Sequence, residues 1–161
     1  MNEWLRGLAG ATERGEDAVL VTVAAGRGST PREPGVKMAV TANAIHGTIG
    51  GGEMEFRAVG VARGLLSVNR SPDDMTSRRY PLGATLGQHC GGAADLIFER
   101  VPRGAEWVKH LSQALASGEI WDLSKWDQAT ARVTKNGVEI AGLKYASEGA
   151  IVTTGELAGK I

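Results

Sequence analysis

Apolar residues along this chain recur at two different spacings, and the switches between them divide it into elements. Trp4 to Ala9 predicts a short helix ending near Gly15. Asp17 to Ala25 puts Val19, Val21 and Val23 on one face at period two, the spacing of a strand. Val36 to Thr41 alternates again, and Ile45 to Ile49 reads as a short third strand after a turn at Asn43-Ala44. The spacing then lengthens. Phe56, Val59, Ala62 or Arg63, and Leu66 recur every three or four residues, which predicts a helix from Glu53 to about Ser67. After a turn at Ser71 to Asp74, strands are expected at Met75–Tyr80 and Ala93–Val101. A helix is expected from Ala105 to Ser117, with Trp107, Leu111, Ala114 and Leu115 inward. Ala129–Lys135 and Val138–Lys144 flank Asn136-Gly137, a strong hairpin signal. The tail from Thr153 is polar and weakly patterned.

Hairpins mixed with strand–loop–helix units predict an α/β or α+β fold: a mixed β-sheet flanked by helices, with glycine-rich loops at one end. A length of 161 residues suits a single domain, 1–161, with no internal repeat or long linker. Eighteen basic residues balance eighteen acidic ones. That removes the basic excess on which general nucleic-acid binding draws. No apolar run approaches the ~20 residues of a membrane span, and the acidic start does not read as a secretory signal. One cysteine cannot form an internal disulfide, so a reducing cytoplasm is the expected location.

Glycine changes the picture. The chain has 23, about twice the ~7% share typical of proteins, and many fall in three loops between apolar segments. Gly50-Gly51-Gly52 follows a strand and opens a helix. Such a turn leaves main-chain N–H groups unobstructed at the positive end of a helix dipole, where an anion is a natural guest. It matches neither the dinucleotide fingerprint nor the P-loop, and a plain tight turn is an equal reading. Glu53 and Glu55 either cap this helix or face a ligand, and a carboxylate there competes with an anionic guest for the same N–H groups.

The second loop, Gly26 to Lys37, sets Ser29, Thr30 and Arg32 around two prolines. Arg32 is suited to gripping phosphate in a fork, while Lys37 would serve as a point charge; the alternative is a solvated turn. The third, Leu82 to Gly92, places Gln88, His89 and Cys90 among glycines. Loop dipoles and a neighbouring histidine favour a thiolate at Cys90, and Gln88 offers donors and acceptors to a heterocycle edge. Three histidines and one cysteine are too few for a structural zinc site.

Taken in order, Gly28 to Met38, Gly47-Thr48-Ile49-Gly50-Gly51-Gly52 with Glu55, and Gly87-Gln88-His89-Cys90-Gly91-Gly92 resemble the signature of the XdhC/CoxI family, over roughly the first hundred residues. The resemblance implies an accessory protein, without turnover of its own, that binds molybdenum cofactor and inserts it into xanthine dehydrogenase-type molybdenum hydroxylases. It also implies docking to a cysteine desulfurase. The cofactor, molybdopterin with its metal, would then lie among Ser29, Thr30, Arg32, Lys37, Gly50, Gly51, Gly52, Glu55, Gln88 and Cys90. The Cys90 thiolate would face molybdenum, as a soft ligand suits a soft partner.

Two departures stand out. Family members often carry two adjacent cysteines in the third motif, where this chain has His89-Cys90, so a dithiol mechanism is unavailable. The C-terminal dinucleotide-binding domain usual in the family is not expected here. Two alternatives remain beside the carrier: an interaction domain of a maturation complex that has lost its ligand, and a Cys90-dependent sulfur transferase with His89 or His46 as base. A homodimer is compatible with the sequence but not demanded by it.

Overall fold

The computed structural model describes residues 3–27, 36–68, 75–82, 92–106, 108–109, 112–113, 130–134, 137–141 and 150–151. Ten elements lie among the described residues. Helix α1 (Glu3–Glu13) leads into strands β1 (Ala18–Arg27), β2 (Lys37–Val40) and β3 (Ile45–Gly47). Helix α2 (Gly52–Ser67) then precedes β4 (Met75–Pro81), β5 (Ala93–Val101), β6 (Thr130–Thr134), β7 (Gly137–Ala141) and β8 (Ala150–Ile151).

β1 to β5 form one sheet in the order β3-β2-β1-β5-β4. Every pairing in it is antiparallel, so of the two expected classes the fold is α+β. Alternation sends the two faces of the sheet to different helices. Val19, Val21, Val23, Met38, Leu96 and Phe98 pack with Met54, Ala58 and Ala62 of α2. Leu20, Ala39 and Val101 point the other way and pack with Trp4, Leu5 and Leu8 of α1. Ala105 and Val108, just beyond β5, extend the core on the α1 side. β6, β7 and β8 form a separate three-stranded sheet in the order β7-β6-β8.

The boundaries of α1, β1, β2, β4 and β5 fall close to their expected positions, and β5 matches residue for residue. α2 also falls where expected, although only part of its apolar spacing is buried. Its buried residues are Met54, Ala58, Val59 and Ala62, while Phe56 is 75% exposed. Alanine at 58 and 62 lets the helix backbone lie close on the valines of β1, and Met54, not Phe56, supplies the large side chain of that face. The two-residue strand β8 carries no periodic signal and was not expected. The turn at 71–74 and the side chains of Trp107, Leu111, Ala114 and Leu115 lie outside the described residues.

One clamp ties distant parts together. Asp17, just before β1, accepts hydrogen bonds from Arg100 Nη2 at 2.9 Å, Arg103 Nε at 3.1 Å and the Arg103 amide at 2.9 Å. Arg100 also donates to the carbonyl of Val68, just beyond α2. The two guanidiniums hold the Asp17 carboxyl at a pKa of about 2, below the usual carboxylate range.

Candidate functional site

The antiparallel topology collects the ends of the glycine-rich segments. The C-terminal end of β1 at Arg27 pairs with Ala93 at the start of β5, and Pro81 at the end of β4 pairs with the same residue. Met38, next to the start of β2, pairs with Gly47 at the end of β3. Segments 28–35, 48–51 and 83–91 therefore all spring from one end of the sheet. Two hydrogen bonds close their bases, from the Leu82 amide to the Gly92 carbonyl at 2.6 Å and from the Val23 amide to the Val36 carbonyl at 2.9 Å. Ser29, Thr30, Arg32, Gln88 and Cys90 themselves lie outside the described residues, as does His89.

The turn from β3 into α2 is fully described. Gly50, Gly51 and Gly52 have φ of 123°, 76° and 67°, a run of left-handed conformations that only glycine adopts without strain. Their effect is to aim backbone N–H groups inward. One carboxylate oxygen of Glu55 accepts from the Ile49 amide at 3.1 Å, from the Gly51 amide at 2.9 Å and from the Thr48 hydroxyl. The Gly50 amide donates to the same hydroxyl at 3.1 Å. Of the readings open to Glu55, the structure shows a cap: the turn gathers three donors on one anionic oxygen, and the chain supplies that oxygen itself. Glu53 is turned outward and pairs with Arg57 at 2.9 Å. Thr48 went unnoticed in the sequence as a separate donor. A hydroxyl four residues before a helix that opens with glycines is the signal that would have found it.

Lys37 is not brought to this turn. It shares the α1 face with Ala39, whereas Met38 faces α2. Its side chain is buried, with Nζ 6.0 Å from the centre of the Trp4 ring. Burial lowers its pKa to about 7, and Glu99 pulls weakly in the other direction. His46, one of the candidate bases, packs its ring over Gly7, where a Cβ would overlap it. Among the described residues its buried Nε2 has no hydrogen-bond partner. Among the described residues, no group of three or more His, Cys, Asp or Glu side chains is arranged to hold a metal ion.

Known proteins resemble this chain in sequence over part of its length and in fold over most of it. The model of the XdhC and CoxI family matches residues 11–80, which take in the turn and its carboxylate. Over that span, less than half of the chain, the sequence is similar to the XdhC and CoxI family. Among solved structures it is similar to one from Bacillus halodurans described as a xanthine dehydrogenase. The TM-score is 0.62 at 15% identity, over 91% of this chain and 46% of that one. Likeness at that identity shows the fold, and the chain spans less than half the length of the solved structure it matches. No curated protein matches. Among the described residues no helix is long and apolar enough to cross a membrane.

Proposed function

We propose that the protein binds molybdenum cofactor at the loop end of the five-stranded sheet and passes it to a xanthine dehydrogenase-type hydroxylase, with a cysteine desulfurase as second partner. The observation carrying this reading is the Gly50–Gly52 turn, which holds an anionic oxygen with two amides and a hydroxyl at the end of the sheet where the other two glycine-rich segments are anchored.

That turn fits the phosphate of molybdopterin, because it already coordinates a carboxylate with the donors a phosphate would use. Glu55 is the group a phosphate would exchange with, so it keeps the turn ordered when no ligand is present. Ser29, Thr30 and Arg32 are assigned to the phosphate rim, Gln88 to the pterin edge, and Cys90 to the metal as a soft ligand. The bound group supplies the metal and sulfur chemistry of the client enzyme. The chain's own part is to bind, orient and release it, and no residue is assigned to turnover.

The turn supplies the test. A Cβ at Gly51 meets nothing within 4 Å, yet its φ of 76° strains any other residue. Gly51→Val therefore perturbs the donor geometry without filling space. In protein purified from a cofactor-producing host, pterin fluorescence after oxidative release should fall at least tenfold in this variant, with far-UV circular dichroism unchanged. Undiminished pterin in a folded Gly51→Val protein removes the turn from the site.

A further inference from the structure

Helix α1 rests on a side of the sheet that hides an amine. Alternation along β1 and β2 lines this side with Leu20, Thr22, Lys37 and Ala39. Trp4, in the first turn of α1, has its ring centre 6.0 Å from Lys37 Nζ. Gly7, one turn further on, meets the His46 ring. Because Ala39 pairs with His46, Lys37 and His46 are diagonal neighbours on this side. The first two turns of the helix are seated on them.

A charge at Lys37 opposes that seating. The residue is 4% exposed, and the cluster it borders through Trp4 is apolar throughout. An ammonium there gives up its hydration, and that loss exceeds what Glu99 returns. The seated helix therefore favours the neutral amine, with a pKa of about 7. Of the elements packed around it, β1 contributes the uncharged Thr22, and β3 contributes His46, which carries no negative charge. On α1, Glu3, Arg6 and Glu13 are exposed to solvent. On β5, Asp95 is paired with Arg79 and Arg100 with Asp17, and beyond it Glu106 and Lys109 are exposed. Once the helix lifts, water restores the amine to its usual 10.5. Between pH ~7 and ~10.5 the lifted state holds a proton that the seated state has lost. Lifting is therefore commonest at pH 7 and below and declines as pH rises.

The connection to β1 allows the movement. The turn after α1 runs through Gly15, whose φ of 68° is left-handed and where a Cβ would meet nothing within 4 Å. It can swing without unpacking a side chain. The eleven residues of α1 are too few to hold a helix alone in water, so a lifted α1 also exposes its amides. We propose that Lys37 is a proton-operated latch for α1, released when the amine is charged, so that Trp4, Leu5, Leu8 and the sheet beneath them become accessible. The inference does not depend on what the Gly50–Gly52 turn binds.

Hydrogen exchange followed by mass spectrometry on the full chain, corrected for intrinsic rates, reads the latch. At pH 7 the amides of Leu8 to Glu13 should open at least tenfold more often than those of β5, which marks the lifting as local and not global unfolding. From pH 7 to pH 9 their opening should fall at least tenfold. Lys37→Met should hold them at the parent's pH 9 level, or below it, at both pH values. Lys37→Arg, charged throughout, should leave them open at both, so the two variants bracket the parent. The parent alone is already decisive: the proposal is overturned if its α1 and β5 amides open equally often, or if opening of α1 ignores pH. It is equally overturned if Lys37→Met retains the parent's slope.

Discussion

Residues from the same motif have separate tasks in this fold. Lys37 and Gly50–Gly52 both lie in the motifs that resemble the family, yet the pleat sends Lys37 under the Trp4 ring and away from the turn. Its lowered pKa makes a signed prediction. Between pH ~7 and ~10.5 the unfolded chain holds a proton on this amine that the folded chain has lost. Stability therefore rises with pH across that window and is lowest below it, where the charge is buried. Lys37→Met should flatten this slope in urea titrations at pH 7, 8 and 9. Tyr80, whose pKa burial raises, acts in the opposite sense above pH 10. Asp17 acts in the same direction as Lys37, but in the acid range. Its carboxyl is held at about 2 against 3.8, so its contribution is present above pH 3.8 and lost as pH falls towards 2. Asp17→Asn should cost about 2 kcal/mol at pH 7 and remove that part of the acid transition.

At the scale of elements, period and chemistry were legible where they were local. β5 could be read to the residue because AADLIFERV packs against both cores, and the β6–β7 pair falls where Asn136-Gly137 signalled a hairpin. The spacing that predicted α2 includes Val59 and Ala62, which are buried, and Phe56, which is exposed; Met54 and Ala58 complete the buried face. No sequence spacing reveals that a helix needs small residues to approach a sheet. The same reasoning divides the glycines. Gly7→Ala should destabilise the protein by about 1–3 kcal/mol, because overlap with the His46 ring outweighs a helix-propensity gain of at most ~1 kcal/mol. A thermal melt that rises for Gly7→Ala would contradict the packing of α1 on β3.

For the molecule as a whole, the three motifs were legible as chemistry but not as a place. Residues 28, 50 and 90 are far apart in sequence, and only the strand order β3-β2-β1-β5-β4 puts their anchors at one end of the sheet. The Asp17–Arg100–Arg103 clamp was invisible for the same reason, since its partners are separated by 83 and 86 positions. The carboxylate of Glu55 in the turn refines the expectation of an anion cradle: the donors are present, and the chain keeps them occupied. A ligand that binds only the folded state must raise its stability, by about 2.7 kcal/mol at a hundredfold excess over Kd. The direct measurement is therefore the Tm of ligand-free protein titrated with molybdopterin. The account predicts a saturable rise of several degrees, reduced in Gly51→Val. A Tm unmoved by excess molybdopterin would contradict it and leave a domain that has kept the fold without the ligand.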